Sequence, residues 1–461
     1  MPDGNPPQRA AQPLAFSDTI GLFMPAGAAE APARLAVLFA SPWGLEELSM
    51  RKLWRVTAEK LAGHGIPSLR FDYPGTGDAL DPQDGDNGLA TWVESLVGAA
   101  EKLKVLSGCG RIAIIAEGLG CVIAAKAAAS IEGVEAMAFL APVVSGRMHL
   151  RELALWSSVV DDNLGLAPHQ RSQSGVSIGS LIMPTGVADE LRRINLMTLD
   201  VPPASRILVA SRPERPSDGE FAARLGAIGA DVSECGFNGY QALVANPTTS
   251  VLPLALVEEV VTWISALPVA PHPAVPMEAA EVGQLTGRGF VETPVRFGGS
   301  DHLVGILCEP SEERQNGTAV LFLTSAYDRH SGWGRSTVGM ARQLARSGIV
   351  SLRFDTAGVA DSPRSPVVRR RSSTMTARSL TSPMPWTFCN RAISAASAFP
   401  AAAAVPIWLS APRCRTSGSP ALSPSTRRCF AGSRGGRWMT RSSTAPAVSK
   451  ITGGVLSTRV R

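Results

Sequence analysis

One stretch of this chain occurs twice without a gap. Residues 36–79, which include "AVLFASPWG" and "AEKLAGHGIPSLRFDYPGTGDA", recur as residues 319–362, with "AVLFLTSAY" and "ARQLARSGIVSLRFDTAGVADS", at a constant offset of 283. The run Ser68-Leu69-Arg70-Phe71-Asp72 reappears as Ser351-Leu352-Arg353-Phe354-Asp355, and Gly65, Gly75 and Asp78 reappear as Gly348, Gly358 and Asp361. Just upstream, "SDTIGLFMP" is echoed by "SDHLVGILCEP". A repeat of this length restricts the architecture more than local propensity does, because both copies must place the same apolar pattern on the same elements. Two copies of one domain are therefore expected in tandem. Between them "LPVAPHPAVP" (267–276) favours an extended, semi-rigid spacer. The expected organisation is a complete first domain over 14–266, a linker over 267–289, the beginning of a second domain over 290–362, and a tail over 363–461.

Short β-rich runs alternate with helical patterns in the first copy, which predicts a mostly parallel sheet with helices on both faces. The strands are "RLAVLFA", "IPSLRFD", "RIAIIA", "VEAMAFLAPV" and "RILVAS"; the helices are 50–62, 88–106, 121–130 and 254–266. Residues 145–199 break the alternation and are expected to form a cap over the carboxyl edge of the sheet, where such folds bind ligands.

The stretch "IIAEGLGC" (114–121) reads as a buried strand turning sharply into a helix of small residues, with Gly118 at the tip of the turn. Together with the strand–helix order and the "DYPGTGDA" turn, it resembles the α/β-hydrolase superfamily of serine hydrolases and esterases. The segment "SPWGLEE" is similar to a loop of bacterial hydrolases associated with exopolysaccharide and exosortase gene clusters. The resemblance implies an α/β-hydrolase-like fold with a cap insertion, followed by a partial second copy and a disordered basic tail. It also implies a serine nucleophile, a histidine base, an orienting acid and an amide oxyanion hole.

Tested residue by residue, that machinery is broken. The elbow frame survives as Glu117-Gly118-Leu119-Gly120, but glycine has no nucleophilic atom. Glu117 and Cys121 flank the tip without occupying it and read as a loop carboxylate and a small buried hydrophobe. Glu214 and Asp218 stand where the family carries its acid, with a solvated loop and a helix N-cap at Asp218 as the competing reading. The base should follow the last strand, yet no histidine lies between His169 and His272. His64, His149, His169 and His272 read as structural or exposed. The amides of Leu119 and of a residue near Trp43 could still form an oxyanion hole, so a small acyl or ester ligand could bind without turnover. Losing a triad member removes on the order of a millionfold of kcat.

Charge divides the chain. Residues 362–461 hold 15 Arg, one Lys and no Asp or Glu, a charge of +16, whereas the rest carries 28 basic and 39 acidic residues, a charge of −11. A tail without a single acid, swollen in Arg, Ser, Pro, Ala and Thr, resembles a GC-rich frame translated out of register. Codon logic supports this. Read from the third base of each triplet, the Met375/Thr376 and Trp386/Thr387 junctions both give aspartate, Met384/Pro385 gives alanine and Phe388/Cys389 gives leucine. The shifted frame can spell an amphipathic helix where the first copy has "TWVESLVGAAEKL", and an elbow near 400–408, about where Gly118 plus 283 falls. The rival reading is a basic arm, with clusters such as 369–371 and 427–428 neutralising phosphates nonspecifically.

The expected protein is thus a hydrolase-family chain, catalytically silent as it stands, or a noncatalytic binding or scaffold protein; an unshifted, longer form would be an active hydrolase. Seven scattered cysteines without a CxxC pair suggest neither zinc nor disulfides. No metal, cofactor, specific nucleic acid or membrane contact is expected, and the oligomeric state stays open. The absence of a signal-like start and of an apolar run of roughly 18 residues points to the cytoplasm. Half a sheet joined to such a tail is expected to be unfolded and aggregation-prone, with 1–266 folding alone.

Overall fold

A computed structural model gives the structure of the chain. It describes residues 10–364, except 28–32, 83–87, 164, 172–174, 179–180, 246–248, 270–271, 274, 299–300, 312–316 and 325–327, together with the backbone of 404–408. Apart from Trp408, the described residues belong to one compact unit, Met1–Ile407. The tail readings, including the shifted helix and nearly all of the shifted elbow, lie outside the described residues.

The first sheet contains β1 (Gln12–Phe16), β2 (Thr19–Met24), β3 (Ala36–Ala40), β4 (Ser68–Phe71), β5 (Ile112–Glu117), β6 (Val134–Leu140), β9 (Arg206–Ser211) and β10 (Asp231–Gly236). Their order is β1-β2-β4-β3-β5-β6-β9-β10. β1, β2 and β4 pair antiparallel, and every pair from β4 to β10 is parallel. Parallel strands covered on both faces read as continuous apolar runs, which is why "RIAIIA" signalled a strand without alternation. Within β5 the side chains still divide by parity. Ile112, Ile114 and Ala116 join the core beneath α2 (Leu89–Ser107), α3 (Leu119–Ala127) and α6 (Pro216–Ala227). Ala113 and Ile115 join the opposite core beneath α1 (Leu45–Gly63), α7 (Tyr240–Val244) and α8 (Leu254–Ser265). Between β6 and β9 the chain inserts α4 (Gly146–Asn163), the hairpin β7 (Val176–Ile178) and β8 (Leu181–Met183), and α5 (Thr185–Leu191), which occupy the segment expected to be a cap.

The described residues between 285 and 362 are folded, not unfolded as expected. β11 (Leu285–Gly287), β12 (Phe290–Phe297), β13 (Leu303–Pro310), β14 (Ala319–Leu323), β15 (Val350–Phe354) and β16 (Ala404–Trp408) form a sheet in the order β11-β12-β13-β15-β14-β16. α9 (Ser336–Arg346) covers it. β12-β13-β15-β14 repeats the order and strand senses of β1-β2-β4-β3. The sheet packs on the first one, β12 against β1, and Leu285 and Ile306 bury Ile20 of β2 between them. The segment read as an extended, semi-rigid linker is tied to the first sheet's half: Val275 N donates to Gly108 O at 3.1 Å, Glu278 N to Val105 O at 2.8 Å, and Ala15 N to Val282 O at 2.7 Å. β11 also begins inside that segment.

The two sheets meet through buried charges that are exchanged reciprocally. Arg70 Nη1 lies 2.8 Å from Asp361, and Arg353 Nη2 lies 3.2 Å from Asp78. Positions 70 and 353 correspond at the offset of 283, as do 78 and 361, so each repeat lends its arginine to the other repeat's aspartate. Around this exchange, Arg329 reaches Asp72 and Asp78 at 2.9 Å, and Arg342 and Arg353 hold Glu292 at 2.9 and 2.8 Å. His330 bridges the acids, with Nε2 2.7 Å from Asp78 and Nδ1 2.9 Å from Asp355. Burial alone would depress the imidazole, but Asp355 and Asp78 outweigh it and raise its pKa to about 9. Buried ion pairs of this kind fix register more than they add net stability.

Candidate active site

The elbow is geometrically intact. β5 ends at Glu117, Gly118 takes φ 56° and ψ −121°, and α3 starts at Leu119. A side chain at Gly120 is excluded, since its Cβ would stand 2.2 Å from Ala40 O. At Gly118 the left-handed φ disfavours other residues. The space a side chain would enter there is also taken: a Cβ would lie 2.9 Å from Glu46 Oε2 and 3.2 Å from Pro42 Cβ. A carboxylate from the first turn of α1 thus stands against the elbow tip.

Glu46 is held by Tyr240, whose hydroxyl donates to Glu46 Oε1. Tyr240 opens α7 just beyond β10, the stretch in which the resemblance looked for a histidine. Arg212, directly after β9, stacks its guanidinium over the Tyr240 ring at 5.3 Å. It pairs with Asp218 through Nε and Nη2, both at 2.9 Å, and reaches Pro142 O at 3.0 Å. Asp218 is completely buried, so of its two readings the solvated N-cap is corrected; its carboxylate is spent on Arg212 rather than on an imidazole. Glu214 lies at the exposed surface and accepts from Gln241 Nε2 at 3.0 Å.

Glu117, read as a loop carboxylate, is instead fully buried, and neither carboxylate oxygen has a hydrogen-bond partner among the described residues. Burial first, then the neighbouring Glu46, hold its carboxyl well above the usual range, against a smaller opposing pull from Arg212. Cys121 is the small buried residue expected, its Sγ 3.7 Å from Leu140 O; burial and Glu117 push its thiol far up, away from nucleophilic use. His149 is buried in the cap rather than exposed, and burial lowers its pKa in spite of Glu46 nearby. His64 and His169 are exposed, and the exposed His272 has its Nδ1 2.9 Å from Pro273 O. Trp43 and Leu119 are both buried beside the elbow.

The site is therefore a buried cluster of Glu46, Glu117, Tyr240, Arg212 and His149 around a turn without a nucleophile. Within it Tyr240 and Glu46 share a hydrogen bond, whereas Glu117 and His149 Nε2 have no hydrogen-bond partner among the described residues. Sequence reading missed Glu46 and Tyr240 as members. Among the described residues no set of three His, Cys, Asp or Glu is arranged to hold a metal, and no helix is long and apolar enough to cross a membrane.

Fold and site together define a doubly wound α/β protein with a strand–turn–helix elbow whose tip is Gly118. No protein-family model matches the chain, and no curated protein matches it significantly. Solved structures do. An esterase of Pyrobaculum calidifontis is similar at 16% identity and a TM-score of 0.39, over 58% of this chain and 88% of its own. Est1E from Butyrivibrio proteoclasticus with bound ferulic acid is similar at 14% identity and 0.38, over 54% and 95%. A proline iminopeptidase-related protein of Thermus thermophilus is similar at 20% identity and 0.37, over 56% and 99%.

Proposed function

We propose that this chain is an α/β-hydrolase-type protein of the ester and acyl hydrolase class that has given up serine chemistry and acts by binding. Its two sheets are tandem copies, the second one incomplete. The reading rests chiefly on the elbow tip, where Gly118 carries no side chain and Glu46 fills the space of one. A serine acyl transfer needs a nucleophile at that tip and an imidazole in reach of it, and here a tyrosine bonded to a carboxylate stands after the last strand. The repeated strand order and the reciprocal arginine–aspartate exchange support the tandem reading.

The test is hydrolysis of short-chain p-nitrophenyl esters by the full chain. Turnover at the level of free imidazole or below, unaffected by a serine-reactive phosphonate, is expected. Saturable turnover abolished by the phosphonate would overturn the reading. Resequencing codons 355–410 addresses the out-of-register tail: an inserted or missing base is expected, restoring a longer second domain with its own elbow.

A further inference from the structure

The interface between the two sheets is symmetric in its arginine–aspartate exchange and asymmetric in one respect. Arg335, at the start of α9, reaches across to the loop after β4: Nε donates to Gly77 O at 2.8 Å, Nη1 to Gly75 O at 3.1 Å and Nη2 to Ala79 O at 2.6 Å. The same guanidinium pairs with Asp81. At the offset of 283, the counterpart of Arg335 is Lys52, and the counterpart of Asp81 is Arg364. An ion pair on one side of the pseudo-two-fold is thus two cations on the other. Where Arg335 plugs its side, the opposite side holds a cavity of about 310 Å³. That is within the size range of sites for small organic ligands.

The cavity lies at the carboxyl ends of β14 and β15, where parallel strands present loops to ligands. Lys52 and Ser49 line it from α1, Arg329 and Trp333 from the loop after β14, and Val359 from the loop after β15. Lys52 makes no ion pair among the described residues, and burial, then Arg364 and Arg55, lower its pKa. The Ser49 hydroxyl is buried to 2% exposure without a hydrogen-bond partner, and Arg329 keeps Nε and Nη1 unbonded while Nη2 serves Asp72 and Asp78. Nη1 lies 3.7 Å from Glu47. The acid on the cavity wall is Asp328, which accepts from Trp333 Nε1 at 3.2 Å. Trp333 offers a flat apolar surface, 40% exposed. Unanswered donors and cations lining one cavity together with an exposed indole select an oxyanion carried on a flat apolar body.

We propose that this cavity is a binding site for a small aryl or acyl carboxylate, shared between the two sheets and separate from the elbow. Lys52 and Arg329 take the carboxylate, and Trp333 takes the apolar body. The site stands whether or not the elbow is silent.

Calorimetric titration of the full chain with 2-naphthoate tests it, with 2-naphthylmethanol and inorganic phosphate as the neutral and the purely charged probes. Binding of one naphthoate per chain is expected, weakened tenfold or more by Lys52→Met, as for a lost charged hydrogen bond. Trp333→Ala should weaken naphthoate but not phosphate. Lys52→Arg keeps the charge but supplies the side chain that plugs the opposite side, and should also weaken naphthoate. The arginine-rich tail is unchanged in all three variants, so anion binding common to them belongs to the tail. Absence of naphthoate binding at millimolar concentration, equal affinity for the alcohol, or unchanged affinity in Lys52→Met or Lys52→Arg folded as judged by circular dichroism, would overturn the proposal.

Discussion

At Gly118 the elbow tip carries no side chain, and Glu46 and Pro42 stand at the space one would enter. Gly118→Ser should give no esterase activity and should destabilise the chain by about 1–3 kcal/mol, because a Cβ there meets Glu46 and Pro42 in a left-handed backbone. Thermal melting and the ester assay read both outcomes, and a rise in phosphonate-sensitive turnover would contradict them. Glu117 offers a test through pH. Its folded pKa lies above the unfolded value near 4.3, so ionisation costs stability as pH rises past that value. Glu117→Gln should therefore raise Tm more at pH 8 than at pH 5; equal shifts at both would show that the carboxyl is not held protonated. Gly118 was legible in the sequence because an elbow is a local motif of strand, tight turn and helix. Glu46 and Tyr240 were not, since they come from α1 and α7 and meet the elbow only through the sheet order.

At the scale of elements, the strands that sequence reading found are those buried on both faces, such as β5 with every residue buried. β10 was missed because "DVSECG" is an edge strand of mostly half-exposed and exposed residues, whose apolar signal is weak. The repeat located β14, β15 and the turns after them, but could not tell that β4 and β15 exchange their arginines. That exchange makes a definite prediction. Arg70→Met should cost about 3–5 kcal/mol by leaving Asp361 buried and unpaired, whereas Arg70→Met with Asp361→Leu should recover much of the loss. Urea unfolding of the two single variants and the double variant closes the cycle. Strict additivity would mean that the pair does not couple the sheets.

For the whole molecule, His330 sets a pH limit on the union of the two sheets. Its pKa is raised to about 9 from an unfolded value of about 6.5, so its contribution is complete below pH 6.5 and disappears as pH climbs through 9. Denaturant midpoints should fall across that window in the parent chain and stay flatter in His330→Gln; parallel curves would remove the imidazole from the account. The buried exchange of charges also changes what the covalent connection between the halves is for. Residues 267–284 do not hold them together so much as keep each half at a high local concentration for the other. A protease cut in that strap should leave a nicked particle of unchanged size on gel filtration, its two fragments parting only under denaturant. Two genes encoding the halves separately would then suffice to assemble the same body.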